Sequence, residues 1–211
     1  MADTEKTWAT RKLGAESSST RTALVEAAHR LLRDEGYSAI TSRRVAAEAG
    51  LKPQLVHYYF RSMDDLLLEV LHGAGEQMLR RLTELMQSEK PLRALWEFSS
   101  DPTGLNVTSE FTALASRNEA IRDALRHYAD RFREMQTEAV ERHLKQRGIE
   151  PQISPVVVSV LMVSLANTLV REQALGMVMG HAEAEALVEE CLRQFEQSGD
   201  SDTPILPKRR S

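Results

Sequence analysis

Cysteine, glycine and proline are all scarce in this chain. Of its 211 residues, one is cysteine, ten are glycine and seven are proline. The single cysteine, Cys191, excludes an intrachain disulfide and any zinc site built from several cysteines. The N-terminus lacks the charged, apolar and small-residue order of a signal peptide, so we expect a cytoplasmic protein.

A long apolar run is also missing. The most apolar segment, residues 156–170, is interrupted by two serines, an asparagine and a threonine, and Arg171 follows it. Because a helix that spans a bilayer needs about 20 apolar residues, the sequence predicts no membrane segment. Strand-like alternation is absent as well, whereas apolar residues recur at spacings of three and four, which predicts an all-α protein.

The net charge of −4 is unevenly spread along the chain. Residues 11–61 contain nine basic side chains against five acidic ones, a net charge of +4, so the remainder is acidic. A basic N-terminal region joined to an acidic body is typical of a DNA reader that has a separate regulatory domain.

Residues 41–60 have the pattern of two short helices joined by a tight turn. Thr41 or Ser42 can cap the first helix. Gly50 supplies a left-handed turn residue, and Pro53 suits the first turn of the second helix. The apolar inner faces are formed by Val45, Ala46, Ala49, Leu55, Tyr59 and Phe60. The pattern is that of a helix-turn-helix whose second helix enters the major groove of DNA. The residues predicted to contact DNA are Thr41, Ser42, Arg43, Arg44, Lys52, Pro53, Gln54, His57, Tyr58 and Arg61.

The order of these features resembles the N-terminal domain of the TetR family of bacterial transcriptional regulators. The resemblance is carried by a first helix over residues 21–33, the turn at Gly36, the corner at Gly50, the aromatic run 58–60 and Ser62. It covers about a quarter of the chain. The resemblance implies a homodimer that binds a palindromic operator and represses transcription until a small molecule binds the C-terminal domain.

Three positions of the second helix depart from the common family pattern. Lys52 stands where a small capping serine is frequent, Gln54 replaces a frequent glycine, and His57 replaces a frequent tyrosine. A glutamine pairs bidentately with adenine, and a histidine can reach a phosphate or a guanine, so we expect an unusual base preference.

The pattern divides the chain into four segments. The predicted segments are a disordered arm (1–18), the helix-turn-helix domain (19–63), an effector-binding and dimerisation domain (64–197) and a disordered tail (198–211). After the helix-turn-helix, helices are predicted from 62 toward 87, from 91, over 107–115, over 119–146, from 155 to about 175, and from 181.

Two groups of apolar residues in the body carry predicted functions. The helix from Pro155 is apolar on more than one side, so we expect it and the helix from His181 to pair with their copies in a dimer. The predicted interface residues are Val156, Val160, Val163, Leu187, Cys191, Leu192 and Phe195. A cavity for a mostly apolar effector is predicted among Met78, Leu82, Trp96, Phe98, Phe111, Tyr128, Phe132, Met135 and Met162, with Asn167 as a polar anchor.

An enzyme is the main alternative class. His127 lies one helical turn from Asp123 and Arg131. His181 lies one turn from Glu185, but charged helix faces produce such pairs routinely. The sequence has no Gly-rich phosphate loop, nucleophile elbow or His–Glu metal motif, so no catalysis, cofactor or metal is expected. A constitutive DNA-binding protein without an effector, and an activator in place of a repressor, both stay open.

Overall fold

The computed structural model describes residues 2–148 and 153–197, and its helices confirm the all-α prediction. Within these residues there are nine α-helices and one short 3-10 helix, Tyr37–Ala39. The α-helices are α1 (Ala2–Glu35), α2 (Ser42–Glu48), α3 (Pro53–Tyr59), α4 (Met63–Leu85), α5 (Pro91–Ser99), α6 (Pro102–Ala115), α7 (Glu119–Gln146), α8 (Pro155–Ala174) and α9 (His181–Gln197).

Most helices begin where local capping and proline positions predict. Helices α5, α7, α8 and α9 start at the predicted residues Pro91, Glu119, Pro155 and His181. Helix α6 differs, because it starts at Pro102 and not at Val107. The Oδ1 atom of Asp101 accepts a hydrogen bond from the Thr103 amide at 2.9 Å, which caps the helix at this earlier position.

The first helix is longer than the sequence predicts. Helix α1 begins at Ala2, so it runs through residues 2–18, which were expected to be a disordered arm. This segment contains three alanines, two glutamates, two lysines, one glycine and no proline, so no proline interrupts a helix that continues into residues 19–35. The predicted tail, residues 198–211, lies outside the described residues.

Two compact units divide the chain, the first from residues 1–76 and 106–125 and the second from 77–105 and 126–211. The first unit therefore extends beyond the predicted domain 19–63. Its core explains the difference, because Phe111, Leu114 and Ile121 of α6 and α7 are buried in the same apolar cluster as the helix-turn-helix.

Each unit has its own apolar core. Side chains of the first unit's cluster include Leu24, Ala28, Leu32, Val45, Val56, Phe60, Leu66 and Val70. The second unit has two clusters, one formed by Leu82, Met86, Ala94, Leu95 and Ala139, the other by Leu92, Val140, Leu144, Leu192 and Phe195. Because each fully buried large apolar side chain stabilises a fold by about 1.5 to 3 kcal/mol, these clusters dominate the stability of the helices they join.

Helix α8 is unusual in how much apolar surface it leaves exposed. Its 20 residues are, by length and composition alone, apolar enough to cross a bilayer, a test that the core helix of a soluble protein also passes. The prediction of no membrane segment, made from the shorter run 156–170, stays a prediction. Few of its residues are buried. Val157 and Leu161 on the open side are 42% and 59% exposed.

Candidate nucleic-acid interface

The turn between α2 and α3 has the predicted geometry. The Thr41 hydroxyl accepts a hydrogen bond from the Arg44 amide at 3.3 Å and caps α2. Gly50 adopts a φ of +66°, a conformation that favours glycine, and the chain reverses there. The Leu51 amide then donates to the Ala46 carbonyl at 2.8 Å and closes the corner.

Helix α3 is short and rigidly bounded. Lys52 is its N-cap residue and its side chain makes no capping hydrogen bond, as the missing serine predicts. Pro53 lies in the first helical turn, where its fixed φ suits the helix and its lack of an amide hydrogen costs nothing. At the other end, the Phe60 amide donates to the Val56 carbonyl at 2.9 Å.

Two apolar side chains anchor α3 to the first unit. Val56 is 1% exposed and Phe60 is 3% exposed. Phe60 is among the residues predicted to be buried, whereas Val56 is not. Because residues four positions apart lie on the same face of a helix, the spacing from Phe60 indicates that Val56 is buried too. Leu55 and Tyr59 are partly buried beside them.

The residues predicted to contact DNA are almost all exposed. Of the ten, Ser42 alone is half-buried. The exposed nine are Thr41, Arg43, Arg44, Lys52, Pro53, Gln54, His57, Tyr58 and Arg61. Tyr58 is 77% exposed, and its ring meets the Tyr59 ring edge-on at 5.0 Å between centroids. The Tyr58 hydroxyl is therefore held outward on a supported ring, in a position to donate to a phosphate.

The basic side chains of this surface fall into two groups. Arg44 pairs with Glu35 at 2.6 Å, and Arg61 pairs with Asp65 at 3.2 Å. Among the described residues, no carboxylate pairs with Arg43 or Lys52. The charges of Arg43 and Lys52 are thus available to an external anion, whereas Arg44 must exchange an internal partner for one.

Helix α4 starts immediately after this surface. The Ser62 hydroxyl accepts a hydrogen bond from the Asp65 amide at 3.0 Å and caps the helix, as predicted. The Asp65 carboxylate pairs with Arg61. The connection from α3 to α4 is therefore only three residues long, Phe60 to Ser62, with its end held by a cap.

The predicted effector residues are distributed over both units. Phe111 is 1% exposed in the core of the first unit, whereas the other nine belong to the second unit, and the common effector site stays a prediction. Leu82 and Tyr128 are buried. Four others pack against the second unit's first cluster: Phe98, Phe132, Met135 and Met162. Met78 and Asn167 are half-buried.

A groove of about 620 Å³ is present elsewhere in the second unit. It is lined by Trp96 and Ser100 of α5, by Ala166, Leu169, Val170 and Gln173 of α8, and by Ala182, Glu185, Ala186 and Glu189 of α9. Trp96 is its only member from the predicted list. Both oxygens of Glu189 are held by Arg93 at 2.7 and 2.9 Å. Among the described residues, no cation pairs with Glu185.

The predicted dimer residues divide between surface and core. Val156, Val160 and Leu187 are exposed, and Val163 and Cys191 are half-buried. Leu192 and Phe195 are buried in their own unit against Val140 and Leu144 and offer no surface to a second copy, so their assignment is corrected. The exposed row on α8 instead includes Val157 and Leu161, which the prediction missed.

Two histidines have an acidic residue one helical turn away in the sequence. His181 is buried, and its Nε2 atom lies 2.9 Å from the carboxylate of Glu172 on the preceding helix. His127 is exposed, and its ring meets the Tyr128 ring edge-on at 5.3 Å between centroids.

Part of the chain matches a known family of sequences. Residues 24–70 match the model of the bacterial regulatory proteins of the tetR family. The HTH-type transcriptional regulator BetI of Rhizobium meliloti is 32% identical over 122 residues, which cover 54% of this chain and 60% of that protein. An uncharacterised HTH-type transcriptional regulator of Haemophilus influenzae is 33% identical over 135 residues, 56% of this chain and 64% of that protein. The chain thus spans less than two thirds of these relatives.

Solved structures share the fold. A candidate transcriptional regulator from Saccharomonospora viridis, in complex with choline, has a TM-score of 0.70 at 22% identity and covers 82% of this chain and 96% of its own. A TetR transcription regulator from Haloarcula marismortui has a TM-score of 0.67 at 23% identity with the same coverage. At these identities the likeness concerns the fold alone.

Proposed function

We propose that the chain is a DNA-binding regulator of transcription of the TetR type and not an enzyme, because residues 24–70 match the model of the tetR family and the relatives that share this region are HTH-type transcriptional regulators. The observation that carries the proposal is the exposed face of α3. Gln54 and His57 are exposed there, beside the cations Arg43 and Lys52, which have no acidic partner among the described side chains. Gln54 offers a base-reading amide, and the cations offer phosphate contacts.

The proposed working form is a homodimer that binds a palindromic operator in the cytoplasm. Two copies of α3 must lie about 34 Å apart to enter successive major grooves on one side of B-DNA. The exposed apolar row on α8, with Leu187 on α9, supplies the surface for a two-fold interface. Covering it with a second copy accounts for a helix that otherwise leaves valine and leucine in water.

We further propose that the regulator is a repressor released by a mostly apolar small molecule. The groove beside Trp96 is lined by the apolar residues Ala166, Leu169 and Val170 together with polar side chains, and its volume lies in the range of small-molecule sites. Glu185 at its edge matches a positive group, and a structural neighbour was solved with the small cation choline. A tenfold loss of operator affinity requires the ligand to favour the DNA-incompetent form by about 1.4 kcal/mol.

Enrichment of duplexes from a randomised oligonucleotide pool tests the DNA-binding proposal. We expect the protein to recover an inverted repeat whose half-site centres are about one helical turn apart. Recovery of no enriched sequence at low ionic strength would contradict it. If neither organic cations nor neutral apolar compounds release the operator, the protein is a constitutive DNA-binding protein. If transcription rises when the protein binds the operator, the protein is an activator.

A further inference from the structure

One guanidinium in the first unit joins three helices. Arg21 of α1 donates from its two terminal nitrogens to the two carboxylate oxygens of Glu69 on α4, at 2.5 and 2.7 Å. The same guanidinium carbon lies 5.1 Å from the centre of the Phe60 ring, at the end of α3. Arg21 therefore contacts both the residue that ends the recognition helix and the second turn of the helix that follows it.

The contact fixes the orientation of the side chains that it joins. A planar guanidinium that bonds both oxygens of a carboxylate fixes the rotation of both side chains, which a lysine does not do. Stacking on Phe60, which is 3% exposed, holds the guanidinium from a third direction. The hydrogen bond from Arg21 lowers the pKa of Glu69, so the carboxylate stays ionised throughout the neutral range.

A second ion pair in the first unit joins a different pair of helices. Arg30 pairs with Glu48 at 2.8 Å and links α1 to α2, and its exposure is almost the same as that of the Arg21 pair. Because only three residues connect α3 to α4, a contact on Phe60 and Glu69 together constrains the angle between those two helices.

We propose that Arg21, acting through Glu69 and Phe60, is a positioning residue that sets the direction of α4 relative to the recognition helix and thereby the half-site spacing that the protein accepts. The inference rests on the proposed function as a dimeric DNA reader. In such a dimer the separation of the two α3 helices depends on the direction in which each α4 leaves its own helix-turn-helix. Arg21 then controls spacing without touching a base.

Spacing selectivity is the property to measure. The affinity of the full chain is measured for the enriched operator and for operators with altered spacing. The altered operators have one base pair fewer, one more or two more between the half-sites. The variants are Arg21→Met and Glu69→Gln, with Arg30→Met as a control of matched exposure. We expect Arg21→Met and Glu69→Gln to reduce the preference for the natural spacing by about tenfold and Arg30→Met to leave it unchanged.

The outcomes separate this inference from the proposed function. A wild-type protein that enriches no operator contradicts the function itself. A wild-type protein with a clear spacing preference that both Arg21→Met and Glu69→Gln retain overturns the positioning role alone. If Arg21→Met fails to fold, Glu69→Gln decides, because it keeps the Arg21 side chain on Phe60 and removes only the charge of its partner. Base preference within a half-site should stay unchanged in every folded variant. A variant whose whole helix-turn-helix domain is destabilised would instead lose base preference as well.

Discussion

The helix-turn-helix and the helical body differ in whether the side chains predicted to be functional are exposed or packed in a core. In the first unit, nine of the ten residues predicted to contact DNA are exposed, on α2, on α3 or next to their ends. In the second unit, five of the predicted effector residues belong to or pack against one apolar cluster, and Trp96 lines the groove between α5, α8 and α9. The contrast shows that a surface defined by a short local motif follows from sequence, whereas the lining of a cavity depends on how distant helices pack.

The largest expected effect is that of a substitution at Phe111. Phe111, predicted to line an effector cavity, is 1% exposed in the core that supports the helix-turn-helix. Phe111→Ala should therefore lower the free energy of unfolding by about 3 to 5 kcal/mol, because a cavity replaces a fully buried ring. Urea unfolding measures this. Trp96→Ala, at a half-buried groove position, should cost less, and a reversed order of the two would contradict the core assignment of Phe111.

The next effect tests the exposed row of α8. Leu161→Glu places a charge on a side chain that is 59% exposed, so each subunit should fold but the dimer should dissociate. Light scattering should then give a mass near 23.8 kDa where the wild type gives twice that value. The loss should amount to at least about 2 kcal/mol of association free energy. The control is Leu175→Glu, a substitution at an exposed position after α8. If Leu175→Glu dissociates the dimer and Leu161→Glu does not, the interface lies elsewhere.

A smaller effect separates phosphate contacts from base contacts within the first unit. Arg43→Ala should weaken specific and random DNA alike, by about tenfold, and should flatten the dependence of affinity on salt by about two units of logarithmic slope, one for each subunit of the proposed dimer. Fluorescence anisotropy over a range of salt concentrations measures both. Lys145→Ala, at an exposed position of α7, should change neither quantity. An Arg43→Ala variant that loses specific binding only would make Arg43 a base-reading residue.

The smallest effect lies in the second unit and depends on pH. Arg93 bonds Glu196 at 2.8 Å and lowers the pKa of that carboxyl below its ordinary value. A carboxyl whose pKa is lower in the folded state stabilises the protein above the unfolded pKa, and this stabilisation is lost as the pH falls through the folded pKa. Glu196→Gln should thus cost about 1 kcal/mol near pH 7 and nothing at strongly acid pH. Glu190→Gln, in an exposed pair within α9, should have little effect at either pH.

Local signals account for most of what the sequence predicted. The caps at Thr41 and Ser62, the left-handed Gly50 and the starts at Pro91 and Pro155 are each decided by a few neighbouring residues, and the structure confirms them. Features that depend on packing between distant segments were not predicted. These are the burial of α6 in the first unit, the burial of Leu192 and Phe195, and the groove formed by α5, α8 and α9.

The central claim is that the exposed face of α3 reads bases. Repeating the pool enrichment with a Gln54→Ala, His57→Ala double variant tests this claim most directly, because both side chains are exposed and their removal should leave the fold intact. The account predicts that the variant still binds DNA but no longer selects the wild-type bases at one or more positions of each half-site. Enrichment of the same sequence with the same strength by the variant and the wild type would contradict it.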